Sequence, residues 1–179
     1  MEKKNIAIVT GGFSGESVIS YKSAKTIEEH LDTEKYNVYK IDINPKGWFY
    51  EAVNGVKTEI NKNDFSLLIN NESIHFDAVL IAMHGTPGED GKLQGYFDML
   101  GIPYTGCDAA TSAVTFNKSY GVAVAAKAGI AVAKSVLLFS HTPHASNKDL
   151  FQLKLPVFVK PNNGGSSIGM SKVTKAENL

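Results

Sequence analysis

A single cysteine, Cys107, stands in 179 residues, so no intramolecular disulfide can form and a reducing compartment is the simple expectation. Long apolar runs are missing too. No segment nears the roughly 18 uninterrupted apolar residues of a membrane span, and the run after Lys3 and Lys4 is too short for a secretory leader. A cytoplasmic protein is expected. Charge of one sign is not in excess: Lys plus Arg and Asp plus Glu number 18 each. With no basic run, the electrostatic footprint of a nucleic-acid or anionic-membrane surface is absent, and small molecules or protein are the expected partners. Metal-ligand spacing is not found around His141 and His144, which read as surface residues together with His30 and His75. What remains, 43% hydrophobic and 20% charged, is ordinary globular composition, long enough for one large domain or two small ones.

The most informative stretch is His84-Gly-Thr-Pro-Gly-Glu-Asp-Gly-Lys-Leu-Gln-Gly95, continuing through Leu100-Gly-Ile-Pro-Tyr-Thr-Gly106. It follows Ala78-Val-Leu-Ile-Ala-Met83, short and apolar enough for a buried strand. His84 is thereby placed at a strand's carboxyl end, the edge of an open α/β sheet where ligands bind. Gly85, Gly88 and Gly91 let the backbone fold tightly around Glu89 and Asp90. A plain strand-to-helix loop capped by Asp90 or Gly91 accounts for part of the pattern.

Upstream, Asn5 to Thr10 reads as a first buried strand and Ser17 to Leu31 as a helix, with Ala24, Ile27 and Leu31 on its inward face. The loop between them, Gly11-Gly-Phe-Ser-Gly-Glu16, is not the G-x-G-x-x-G dinucleotide fingerprint, and a carboxylate near the helix start repels phosphate. That carboxylate suits the helix dipole as a cap, or accepts a hydrogen bond from an ammonium group. Tyr36 to Ile43 reads as a second strand, Trp48 to Ile60 as a hairpin turning at Asn54-Gly55, Phe65 to Ile69 as a short strand and Asn70 to Ser73 as a polar turn. Trp48, Phe49 and Tyr50 read as packing residues. Gly91 to Leu100 is expected to be helical and Tyr104-Thr105 a brief strand. Alternating strand and helix from residue 5 to 106 predicts a mostly parallel sheet with helices on both faces.

From Cys107 to Ala128 the pattern is helical, broken near Phe116-Asn117, where Asn117 can cap a second helix ending at Gly129. Lys118 then lies in a first turn, against the helix dipole, which is better explained if it reaches an anion. Ser135 to Phe139 reads as a strand and His141 to Ser146 as a loop. Leu155 to Val159 reads as a buried strand ending at Lys160. After it come the loop Asn162-Asn-Gly-Gly-Ser-Ser-Ile-Gly169 and a second strand, Met170 to Val173. Amides and hydroxyls at such a tip can fold over a polyphosphate, although the loop is not a Walker A sequence.

Four separated motifs agree on one family. Gly11-Gly-Phe-Ser-Gly-Glu16 with Ser20, the run from His84 to Gly95, Gly101-x-Pro-Tyr-Thr-Gly106, and Val159-Lys-Pro161 with Gly165-Ser-Ser-x-Gly169 resemble D-alanine–D-alanine ligase, in that order and at similar spacing. The resemblance covers almost all of the chain. It implies an N-terminal α/β domain over residues 1–106, with a Rossmann-like parallel sheet, and the first part of a central ATP-grasp α+β domain over residues 107–179. It also implies the reaction: MgATP phosphorylates one D-alanine, and the amine of a second attacks the D-alanyl phosphate to form a peptidoglycan dipeptide. A homodimer is implied as well.

Residue by residue, Glu16 matches the group holding the first D-alanine's ammonium, and His84 a residue near that substrate. Lys118 and Lys160 match the two lysines on the ATP phosphates. Gly165, Ser166 and Ser167 match the phosphate loop, with Ser166 also implied to link to Glu16 as part of the catalytic set. Glu89 and Asp90 are assigned to loop structure. Some members carry glutamate where Gly164 stands, so that side-chain contact is absent here. The chain ends in what looks like the opening of a helix. The Mg²⁺ ligands, the closing tyrosine loop and the adenine-gripping residues are expected beyond Leu179, so residues 1–179 are expected to be inactive alone. Two alternatives stay open: a D-alanine–D-lactate ligase, and, for these residues by themselves, a non-catalytic dimerisation or substrate-binding module.

Overall fold

In chain order the elements are β1 (Lys4–Gly11), α1 (Ser17–His30), β2 (Tyr36–Asn44), β3 (Gly47–Glu51), β4 (Lys57–Glu59), β5 (Leu67–Ile69), β6 (Glu72–Ile74) and β7 (Ala78–Ile81). They are followed by α2 (Lys92–Leu100), α3 (Ala109–Phe116), α4 (Lys118–Lys127), β8 (Val157–Val159) and β9 (Ser171–Val173). The structure, a computed structural model, describes residues 2–52, 54–141 and 150–178. The chain divides into two compact units, Met1–Ala113 and Val114–Leu179.

In the first unit the apolar run Ile6 to Val9 makes β1 an interior strand, paired in parallel with β2 on one side and β7 on the other. The sheet order is β4-β3-β2-β1-β7. The chain therefore leaves β1 toward β2 and comes back to β7 across β1, so the loops after β1 and β7 both start at the strands' carboxyl ends, the edge where open α/β sheets form a ligand crevice. The expected parallel sheet is parallel across β2, β1 and β7. The Trp48-to-Ile60 hairpin extends it antiparallel through β3 and β4. The alternation of β1 splits its side chains between two faces. Ala7 and Val9 pack with Ile41, Ile43, Phe65, Phe97 and their neighbours, while Ile8 packs with Ala24, Ala82, Ile27 and Leu31. Helix α1 covers the second face and α2 the first. Phe65 is the hub of an aromatic cluster, with ring centroids 4.9 Å from Phe97 and 5.3 Å from Phe76.

Some local expectations change. Of the polar turn at Asn70 to Ser73, only Asn70 and Asn71 are turn residues, and Glu72 and Ser73 belong to β6, which pairs with β5. The brief strand at Tyr104-Thr105 reduces to one parallel bridge, Val79 to Tyr104. Trp48 and Tyr50 pack against the core as expected, whereas Phe49 faces the other side of the sheet beside Asp42.

In the second unit Asn117 caps α4 through its side-chain oxygen, which accepts from the Tyr120 N–H. Ser135 to Phe139 is irregular instead of a strand: none of it pairs in a ladder among the described residues, and Leu137 and Phe139 are exposed. β8 and β9 form the expected antiparallel hairpin. β8 is not buried, with Phe158 56% and Val159 46% exposed, because among the described residues only β9 pairs with it. The predicted loop His141 to Ser146, including His144, lies outside the described residues after His141. Residues Ala176–Asn178 form a 3₁₀ turn where a helix opening is expected. No helix among the described residues is long and apolar enough to cross a membrane.

Candidate functional site

The crevice at the ends of β1 and β7 is lined by two loops held together through their backbones. Phe13 N–H donates to the Thr86 carbonyl at 2.8 Å, and the Ser20 hydroxyl accepts the His84 N–H at 2.9 Å. Glu16 sits between them. Its backbone occupies the N-cap position of α1, but its side chain makes no capping bond to the helix, and the residue is only 5% exposed. The carboxylate lies against Gly85: a methyl group added there would stand 2.7 Å from Glu16 Oε2 and 2.5 Å from Ser14 Oγ. With φ at +75°, Gly85 also occupies a backbone region that other residues enter at a cost. A buried carboxylate set against a backbone without a side chain is chemically able to pair with a small cation such as an ammonium group.

His84 stands beside it, partly exposed. Its Nε2 is 3.1 Å from Ser23 Oγ, and its Nδ1 is 3.9 Å from Glu89 Oε1. The other Glu89 oxygen accepts the Gly85 N–H at 2.7 Å. Glu89 thus anchors the turn and faces the imidazole with the same carboxylate. Asp90 is ion-paired with Lys92, and α2 starts from Gly91 with no side-chain cap. Of the two helix caps offered on sequence grounds, Gly91 occupies the N-cap position and Asp90 Oδ1 accepts the Lys92 N–H at 3.5 Å. Ser23 was not legible as a site residue. Its signal is the spacing of Glu16, Ser20 and Ser23, which puts them on one face of α1.

In the second unit the start of α4 is joined to the Gly/Ser loop. Lys118 Nζ donates to the Gly164 carbonyl at 2.6 Å, the Lys118 N–H to the Asn162 carbonyl at 3.0 Å, and the Ser119 N–H to Asn162 Oδ1 at 3.0 Å. The lysine that opposes its helix dipole therefore reaches a carbonyl oxygen of that loop. Ser166 and Ser167 have φ of +51° and +58° and are exposed at the tip, as is Lys160 at the base, while Gly165 is half-buried. Two successive non-glycine residues in the left-handed region cost on the order of 1 kcal/mol or more each, and such outliers cluster at ligand clamps. Lys118 uses one of its three donors on Gly164. The donor set of this loop, ammonium, amide and hydroxyl, fits an anionic polyphosphate. Among the described residues no three His, Cys, Asp or Glu side chains gather as a metal site.

The profile described as "D-ala D-ala ligase N-terminus" matches residues 5–107, more than half of the chain, and "D-ala D-ala ligase C-terminus" matches residues 124–179. The chain belongs to the D-alanine–D-alanine ligase family. It is 48% identical over 171 residues to a D-alanine–D-alanine ligase of Parabacteroides distasonis, covering 96% of this chain and 52% of that one. Among solved structures it is similar to D-alanyl-alanine synthetase A from Vibrio cholerae, with a TM-score of 0.88 and 32% identity over 99% of this chain and 54% of that one. It is also similar to the Bacillus anthracis D-alanine–D-alanine ligase complexed with ATP, with a TM-score of 0.72 and 26% identity over 98% of this chain and 52% of that one. The chain spans about half the length of the curated relatives it matches. As the resemblance implied, family and fold are those of D-alanine–D-alanine ligases, and ATP dependence is the family's property.

Proposed function

We propose that these residues serve the ATP-dependent ligation of two D-alanines to D-alanyl-D-alanine for peptidoglycan, with the crevice of the first unit receiving the first amino acid. The observation that carries this reading is the buried Glu16 carboxylate, which lies against Gly85 beside His84 at the carboxyl ends of β1 and β7. Glu16 accepts the ammonium of the first D-alanine, and His84, steadied by Ser23 and Glu89, borders the same amino acid. The Ser20 hydroxyl fixes the distance between the two loops.

In the second unit Lys118, Lys160, Gly165, Ser166 and Ser167 hold the phosphates of ATP. Transfer of the γ-phosphoryl group brings anionic groups together, so positioning and charge neutralisation by these donors are their main contribution. ATP supplies the phosphoryl group that turns the carboxylate into an acyl phosphate open to a second amine. Ser166 belongs to the catalytic set with Glu16, and Mg²⁺ is held by residues other than those described. The same reading takes residues 1–106 and 107–179 as the two domains and expects a cytoplasmic homodimer that binds neither membrane nor nucleic acid.

Titration of the protein with D-alanine, followed by the amide signals of Gly85 and Glu89 in ¹⁵N-resolved spectra, tests the reading beside an assay of D-alanine-dependent ADP release. Saturable shifts that vanish in Glu16→Gln are expected, with no ADP release from residues 1–179 alone. An unchanged titration in Glu16→Gln would sink the assignment. ADP release at full rate would show that these residues form a whole catalytic site.

A further inference from the structure

On the α1 face of the sheet, beside that helix, a cavity of about 350 Å³ opens over β1 to β4. It shares no residue with the crevice of Glu16 and His84. Two neighbouring rows of side chains floor it. The first crosses from Thr10 on β1 to its partner Asp42 on β2 and on to Phe49 on β3. The second joins Lys40 on β2 to Lys57 on β4 through Glu51, which pairs with Lys57. Two residues of strand separate the rows, about 6.6 Å. Tyr21 walls the cavity from α1, its hydroxyl donating to Asp42 Oδ1 at 2.8 Å.

Thr10 marks this cavity as more than a gap. It is 1% exposed and lines the cavity, and its hydroxyl has no hydrogen-bond partner among the described residues. A buried hydroxyl left unpaired costs free energy, so it is kept at a disadvantage unless something pairs with it. Burial and the bond to Asp42 push the Tyr21 phenol up to about 12, so it stays a donor throughout the physiological range. Among the described residues the cations of the second row are tied through exposed ion pairs, Lys57 with Glu51 and Lys40 with Glu28, which are weak and readily exchanged.

We infer that this cavity is a second small-molecule site, for a zwitterion of amino-acid size. Its ammonium sits between Asp42 and the Thr10 hydroxyl, its carboxylate between Lys40 and Lys57, and its side chain on Phe49. Both charges are needed, because each row complements one sign and the rows are a short molecule's length apart. The inference does not depend on the ligase reading.

The test is a titration of the protein with D-alanine and L-alanine, read at the amides of Thr10, Asp42 and Phe49 and at the Tyr21 ring, with N-acetylalanine and alaninamide as single-charge controls. Saturable shifts with at least one enantiomer are expected, weakened about tenfold or more in Thr10→Val and in Asp42→Asn, as follows from loss of one hydrogen bond to a charged group. Thr10→Val nearly preserves shape and removes an unpaired hydroxyl, so its melting temperature should hold or rise, which separates lost binding from lost folding. The shifts should persist in Glu16→Gln. Shifts confined to Gly85 and Glu89, equal shifts with the single-charge derivatives, or undiminished binding by Thr10→Val would each overturn the inference. Cavity shifts without any at Gly85 would uphold it while removing the ligase reading.

Discussion

The hydroxyl of Ser20, fully buried on α1, accepts the main-chain N–H of His84 at 2.9 Å, across 64 residues of sequence. Ser20→Ala leaves that part-buried N–H without its partner. A loss of about 1 to 3 kcal/mol is expected from the unpaired donor, measured by urea unfolding. Under the ligase reading D-alanine affinity falls with it, since the loops that receive the amino acid lose their spacer. An unchanged midpoint would mean that the two loops are held by other contacts.

Gly85 allows a sharper test of the crevice. Gly85→Ala puts a methyl within 2.7 Å of Glu16 Oε2 at a φ of +75°. Gly101→Ala shares the left-handed strain, with φ of +66°, but meets nothing within 4 Å. Both are expected to destabilise by about 1 to 2 kcal/mol through the backbone. Only Gly85→Ala should also weaken D-alanine binding, because only there does the methyl displace the carboxylate. Equal dissociation constants for the two variants would argue that Glu16 does not touch the ligand.

Lys118 joins α4 to the Gly/Ser loop and, in the proposed function, to the nucleotide. Lys118→Met is expected to lower ATP affinity about tenfold or more, as for loss of a charged hydrogen bond. Lys118→Arg should recover only part of it, because a planar fork replaces a point charge that fits between Gly164 and a phosphate. Calorimetric titration with ATP reads both, and wild-type affinity in Lys118→Met would remove this lysine from the phosphate site.

How much of this was legible beforehand depends on whether the signal was local. β1, α1 and β2 declare themselves through runs and spacings within one segment, and the glycines around His84 mark a loop at a strand's end. Glu16 was ambiguous between cap and ligand, since either use suits a carboxylate at a helix start. In the structure it is buried and makes no side-chain capping bond, and the proposal of a ligand role starts from there. Ser135 to Phe139 has strand composition, but a strand is made by its ladder partner, which no window of sequence contains. Val157 to Val159 looked buried for the same reason: an apolar run says what a segment prefers to bury, not what is there to cover it. Ser23 escaped because a lone serine on a helix carries no signal until the histidine it faces is placed by another strand.

Asp77 gives a pH test. It accepts from Lys4 Nζ and from the Asn5 N–H, each at 2.8 Å, tying the starts of β7 and β1 together. The Lys4 bond first, and the Asn5 N–H second, hold its carboxyl below the usual aspartate value. A depressed folded value means that the stabilisation is fully present above the unfolded pKa and is lost as pH falls through the folded one. Asp77→Asn should therefore be less stable than the wild type at neutral pH, with the gap closing below about pH 4. Thermal melts of both proteins across that range check it, and a gap independent of pH would rule out the carboxylate as its source.

The pairing of β1 with β7 also sets an order of events in folding. β1 meets β2 after one helix and a short turn, whereas β7 joins it only after two hairpins have been threaded past. Loop closure grows costlier with the length of chain enclosed, and contacts distant in sequence form late. The crevice has no existence until that last strand docks, so a partly folded chain holds most of the sheet yet offers no place for a ligand. The amide of His84, locked onto Ser20 by the same step, is the natural clock for it in hydrogen-exchange labelling.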